Sequence, residues 1–255
     1  MAKEKKGIEV DIIYNENCIE TLKKMKDDSI DLVITSPPYN MNLRIRNGQY
    51  CSRQIVKEIS TKYADFDDNL PIEEYYELHL SILKELLRVS KMVFYNIQIV
   101  TGSKRPIFKI IGELNENLKD IVIWDKGYAQ PAMAEKVLNR RTELILIFDK
   151  ESAISRQFEK ANFKRGTLDD IWQIKRGKKI HSEHGAVFPE ELVYTILNNF
   201  SNEGDIVYDP FMGTGSTAVV AKKMNRKFIG SEISKEYLKA ANKRISEADG
   251  FLFPL

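Results

Sequence analysis

The chain has 255 residues, 43% hydrophobic and 30% charged, the balance of a globular protein with a single domain over 1–255 rather than a disordered or fibrous chain. The longest apolar runs, 121–124 and 144–148, are too short to span a bilayer. The net charge of +2 is near zero, but residues 125–179 hold 13 Lys/Arg against 8 Asp/Glu, which marks that region for contact with a polyanion.

The Lys-rich start runs into an acidic, alternating segment that is not a signal-peptide core. Two cysteines, Cys18 and Cys51, make neither a disulfide framework nor a zinc knuckle, so no metal site is expected. A reducing cytoplasm is the default compartment.

In chain order, 10–14 reads as a short strand and 18–25 as a helix carrying Ile19, Leu22 and Met25. Residues 31–35 form a buried-strand pattern that runs into Ser36-Pro37-Pro38-Tyr39, where two prolines force a turn. Residues 41–69 are polar with little periodicity, and read as a long functional or mobile loop. Tyr75, Leu78, Ile82 and Leu86 give 72–87 a helical stripe. Strands follow at 91–95, 121–124 and 143–148, with a helix at 107–114. Beyond them, 189–200 is a helix with proline early, 206–208 a strand, 216–224 a helix, 227–229 a strand and 234–248 a helix. Alternating strands and helices predict an α/β fold with a parallel sheet covered on both faces.

Three turns at strand ends carry chemistry. Asp209-Pro210-Phe211-Met212-Gly213-Thr214-Gly215-Ser216-Thr217 joins a strand to a helix. Its glycines permit a tight turn and close approach of a ligand, and the helix start offers free N–H groups. No lysine follows Gly215, which excludes a P-loop. Glu232 ends the next strand, 17 residues beyond Gly215; an acid about 20 residues on is placed to bind ribose hydroxyls. In Thr35-Ser36-Pro37-Pro38-Tyr39-Asn40 the prolines remove two donors, Ser36 adds a hydroxyl, and Tyr39 supplies a ring on which a base can stack. Together these form an acceptor-rich clamp for an exocyclic amine.

In combination the motifs resemble the DNA amino-methyltransferases that use S-adenosylmethionine (SAM), in the permuted group whose catalytic motif precedes the cofactor motif. TSPPY is similar to their catalytic motif, DPFMGTGST to their SAM loop, and FIGSEISKEY to their ribose-binding strand. The segment from His184 through Phe188 to Leu192 resembles the cofactor motif upstream of the loop. The resemblance runs from Asp11 to Ile245. It implies a Rossmann-like, seven-stranded, mostly parallel sheet with a small target-recognition insert within 125–181. It also implies cofactor contacts from Asp209, Phe211, Gly213, Gly215, Thr217, Glu232, His184 and Phe188, and catalysis by Ser36, Pro37, Pro38 and Tyr39.

The implied reaction is methyl transfer to cytosine N4 or adenine N6 of a base flipped out of double-stranded DNA. Serine before Pro-Pro tilts the reading to cytosine N4, since the adenine enzymes mostly carry Asp or Asn there. An inactive DNA-binding scaffold on the same fold is the remote alternative. Expected phosphate contacts are Arg44, Arg46, Lys126, Arg140, Arg141, Lys175, Arg176, Lys178 and Lys179. Expected partners are duplex DNA, a second copy of the chain and a restriction endonuclease acting on the same site, in a bacterial, archaeal or phage setting.

Overall fold

The computed structural model describes residues 8–41, 43–46, 49–52, 68–129, 135–151, 154–177 and 188–248. The elements run β1 (Ile12–Tyr14), α1 (Cys18–Lys24), β2 (Ile30–Thr35), β3 (Leu43–Arg46), β4 (Gln49–Ser52), α2 (Ile72–Val89), β5 (Ser90–Ile97), α3 (Lys104–Glu113), β6 (Leu118–Asp125), β7 (Thr142–Asp149), β8 (Ile171–Gln173), α4 (Glu190–Phe200), β9 (Ile206–Asp209), α5 (Ser216–Lys223), β10 (Lys227–Ser231) and α6 (Lys235–Ser246).

Eight strands form one sheet in the order β1-β10-β9-β2-β5-β7-β6-β8. Only β7 runs antiparallel to its neighbours, β5 and β6; the other pairs are parallel. Successive side chains of a strand face opposite ways, and both faces are covered. Leu32 and Ile34 of β2 join the cluster under α4, α5 and α6, while Ile30 and Val33 join the one under α1, α2 and α3. This is why 31–35 reads as continuous apolar sequence rather than alternation.

The mixed α/β class is as expected, and the sheet has one strand more than the seven expected. The extra strand, β8, pairs with β6 at the sheet edge and sets Trp172 beside Trp124. Three residues among acidic and basic neighbours give too short a period to read as a strand. Within 125–181, where the target-recognition insert is expected, β7 and β8 both belong to the sheet. Residues 43–46 and 49–52, expected to be loop, pair as an antiparallel hairpin. The helix expected at 107–114 starts three residues earlier, at Lys104; Pro106 sits in its first turn, where a missing N–H breaks no helix bond.

Candidate active site

Polar strand ends gather along one edge of the sheet, the edge at which open α/β sheets bind ligands. β2 ends there at Thr35, β5 at Ile97, β9 at Asp209 and β10 at Ser231, and the antiparallel β7 begins there. The turn after β2 and the loop after β9 are therefore neighbours.

Asp209 joins them. Its Oδ1 accepts from Thr35 Oγ1 at 2.8 Å and from the Phe211 N–H at 3.0 Å, and its Oδ2 accepts from Thr217 Oγ1 at 2.7 Å. Burial pushes this carboxyl up to about 6, against the pull of those three bonds. Asp209 and Thr217 are both buried, and their side chains hold the loop to β2 and α5. Their polar atoms are engaged inside the protein.

The rest of the loop is shaped for a ligand. Gly213 and Gly215 have φ of +54° and +84°, which side chains rarely adopt. A Cβ on Gly215 would also stand 2.8 Å from Ala241 Cβ, so the loop packs directly on α6. From α6, Arg244 donates to the Thr214 carbonyl at 2.5 Å and to Glu190 Oε1 at 2.6 Å, tying the loop to the start of α4. Glu232 faces the same loop: its Oε2 accepts the Gly213 N–H and its Oε1 the Ser234 N–H, each at 2.8 Å. Burial raises this carboxyl, and the backbone amides of Ser234, Gly213 and Ile233 oppose the shift. Each oxygen keeps a further lone pair. Phe211 is half-buried at the loop's start, and Phe188 meets Trp124 edge-on at 6.4 Å. His184 lies outside the described residues.

The Ser36–Tyr39 turn is held from below. Pro37, Pro38 and Tyr39 are buried and Ser36 is partly exposed. Tyr75 of α2 donates to the Pro38 carbonyl at 2.7 Å, which turns that acceptor inward. Asn40 has φ +58°, and its Nδ2 donates to the Leu70 carbonyl at 2.8 Å. A Cβ on Gly102 would land on the Asn40 carbonyl oxygen, so the turn rests on bare backbone there. Tyr39 is 7% exposed and its ring belongs to the apolar cluster beneath the turn. In this structure the ring is packed beneath the turn with its edge at the site.

The Tyr39 hydroxyl lies in a polar network that the sequence does not announce. It donates to Glu143 Oε2 at 2.9 Å and stands 2.7 Å from Ser36 Oγ. Asn96 Nδ2 donates to Tyr39 Oη at 2.6 Å and to Glu143 Oε2 at 2.8 Å, and lies 3.3 Å from Ser36 Oγ. Glu143 Oε1 accepts from Lys126 Nζ at 2.9 Å. Lys126 is 1% exposed; burial pulls its ammonium below the ordinary lysine value, with Glu143 opposing. Its charge is enclosed and paired with Glu143.

Among the other basic candidates, Arg140 and Lys175 are exposed and Arg176 is half-buried, its guanidinium 5.8 Å from the Tyr128 ring centroid. Arg141 is half-exposed and paired bidentately with Asp125. Arg44 and Arg46 lie on β3, where only the backbone is described; Lys178 and Lys179 lie outside the described residues. Cys18 is buried, and burial pushes its thiol up to about 12, so it is no nucleophile. Among the described residues no cluster of His, Cys, Asp and Glu is arranged to hold a metal, and no helix is long and apolar enough to cross a membrane.

A family model described as DNA methylase, covering N6 and N4 methyltransferases, matches residues 30–243. The chain belongs to this family. It is a DNA methyltransferase that depends on SAM, as its motifs imply. It is similar to the type II methyltransferase M2.DpnII of Streptococcus pneumoniae, at 29% identity over 92% of this chain and 89% of that protein. It is also similar to M.HpaI of Haemophilus parainfluenzae, at 31% identity over 92% and 74%. Among solved structures, the PvuII DNA methyltransferase, described as cytosine-N4-specific, superposes with a TM-score of 0.70 at 18% identity, covering 96% of this chain and 95% of that one. M1.HpyAVI in complex with SAM superposes at 0.61 and 23%, covering 91% and 98%.

Proposed function

We propose that this methyltransferase acts on cytosine N4 of a base flipped out of duplex DNA, with Ser36 accepting a proton of the reacting amine. The observation that carries the reading is Ser36: a partly exposed hydroxyl at the end of β2, one residue from the Thr35–Asp209 bond that anchors the cofactor loop.

The loop and its acid fit an adenosyl group. The two oxygens of Glu232 each hold one amide and keep a lone pair for the two ribose hydroxyls. Phe211 and the backbone of 213–215 would line the rest. Bound there, SAM supplies an electrophilic methyl on a positively charged sulfur.

This chain's residues then solve the acceptor's problem. An exocyclic amine is a weak nucleophile because its lone pair is delocalised into the ring. Ser36 Oγ and the Pro37 carbonyl would draw on its N–H groups and favour a tetrahedral nitrogen. Positioning and water exclusion supply the remainder. The amine of a paired base is occupied by its Watson–Crick partner, so the base must leave the stack at about a few kcal/mol. Arg140, Lys175 and Arg176 would neutralise phosphates of the bound DNA.

Nucleoside mass spectrometry of DNA incubated with the protein and SAM tests the reading. N4-methylcytosine supports it. N6-methyladenine would move the acceptor to adenine on the same site, and no modified base on any DNA would leave a binding scaffold.

A further inference from the structure

The network beneath Ser36 has a direction. A carboxylate only accepts, and a phenol carries one hydrogen. Because Tyr39 gives its hydrogen to Glu143 Oε2, it can only accept from Ser36, 2.7 Å away. The Asn96 amide is oriented by the same logic: turned over, its oxygen would face the Glu143 carboxylate, which has no hydrogen to give. Its two hydrogens serve the two nearer acceptors, Tyr39 Oη and Glu143 Oε2, with Ser36 Oγ a longer third at 3.3 Å. The Ser36 hydrogen therefore points into the protein, and a lone pair is left for whatever enters the site.

Glu143 is divided between two tasks. Oε1 faces Lys126, while Oε2 takes Tyr39 and Asn96. A buried ion pair gives little net stability over an apolar pair of the same size, so stability alone does not explain a carboxylate at this place. Its side chain is only 11% exposed, which shields the connection from water.

We propose that Ser36, Tyr39 and Glu143 form a hydroxyl relay that takes up the proton released by methyl transfer, with Glu143 its terminus and positioning residue. This rests on Ser36 being the amine acceptor. As the amine nitrogen forms its bond to the methyl carbon, the carbon–sulfur bond breaks and its electron pair stays on sulfur. The nitrogen is left positively charged with a proton in excess. That proton passes to Ser36 Oγ, the Ser36 hydrogen to Tyr39 Oη, and the Tyr39 hydrogen to Glu143, which ends protonated beside Lys126. Neither hydroxyl gains or loses charge overall. The neutral methylated base leaves, and Glu143 returns its proton to solvent when the site reopens.

Two isosteric changes test the relay. Tyr39→Phe keeps the buried ring and removes only the hydroxyl. Glu143→Gln combined with Lys126→Met removes the terminus without stranding a buried cation. With the fold checked by circular dichroism and the SAM dissociation constant measured by calorimetry, single-turnover methyl transfer is followed in H₂O and D₂O. Each variant is expected to transfer about 10²-fold more slowly, the scale of positioned proton transfer, with SAM affinity and the KM for DNA unchanged. The solvent isotope effect should shrink, and joining the two changes should slow transfer little further, because they interrupt one chain. An active wild type whose Tyr39→Phe variant keeps full rate, or effects that multiply, would overturn the relay alone. A shift in SAM affinity or KM with kcat intact would reduce the network to scaffold and also overturn it. A wild type that methylates no DNA would overturn the proposed function, and the relay with it.

Discussion

Asp209→Asn isolates the group that joins the two motifs. The carboxyl is fully enclosed, and burial raises it from 3.8 to about 6. A folded-state value above the unfolded one means that the folded protein holds its proton more tightly. The stabilisation is complete below pH 3.8, where both states are protonated. It is lost as pH rises through about 6, where both are ionised. A shift of about two units corresponds to about 3 kcal/mol. Asparagine keeps the shape: its oxygen can take the bonds from Thr35 and Phe211, and Thr217 can turn its hydroxyl to accept from the amide nitrogen. The variant should therefore fold and lack this titration. Urea unfolding of both proteins between pH 4 and 8 gives a stability difference from which every other titrating group cancels. That difference should move in the variant's favour by about 2 kcal/mol between pH 4 and 6.5 and then stay nearly level. A difference independent of pH would refute the assignment of a buried, proton-retaining carboxyl.

Gly102→Ala places a Cβ on the Asn40 carbonyl oxygen, so the Ser36–Tyr39 turn must shift. Methyl transfer should fall by about 10²-fold, the effect of a displacement near 1 Å at a reacting centre, while calorimetry finds SAM affinity intact. Glu232→Gln leaves one oxygen where two would face the ribose. Its SAM dissociation constant should rise at least about tenfold, since a hydrogen bond to a charged group contributes about 1.5–3 kcal/mol; unchanged affinity would remove Glu232 from the cofactor site. Because burial raises the Glu232 carboxyl, SAM affinity in the wild type should weaken as pH falls through that raised value.

Much of the site was legible before the structure because its parts are local. Thr35–Tyr39, the 209–217 loop and Glu232 each follow an apolar run that reads as a strand, and strand ends of an α/β sheet share one edge. What escaped is built across distance. Tyr39 meets Glu143 over 104 positions and Asn96 over 57; Glu143 reads only as the start of a strand and Lys126 as a phosphate contact. Whether an acid at a strand end faces a ligand or its own protein is decided by side-chain direction. Glu232 has its oxygens on the loop's edge, whereas Asp209 turns inward to Thr35 and Thr217. Tyr39 reads as a platform from its ring, and the structure adds the bonds of its hydroxyl to Glu143 and Asn96. β8 escaped because three residues carry no period, and Gly102 because the backbone it makes room for is 62 positions away.

The division of labour at the sheet edge, with Ser36 handling the amine and the 209–215 loop and Glu232 holding the donor, meets its most direct test in Ser36→Ala. Transfer of a labelled methyl group from SAM to DNA and the SAM dissociation constant are measured on the same preparation. Transfer should fall by about 10²-fold or more with SAM affinity unchanged. Loss of SAM affinity in step with transfer would make Ser36 a cofactor contact and contradict the role assigned to it.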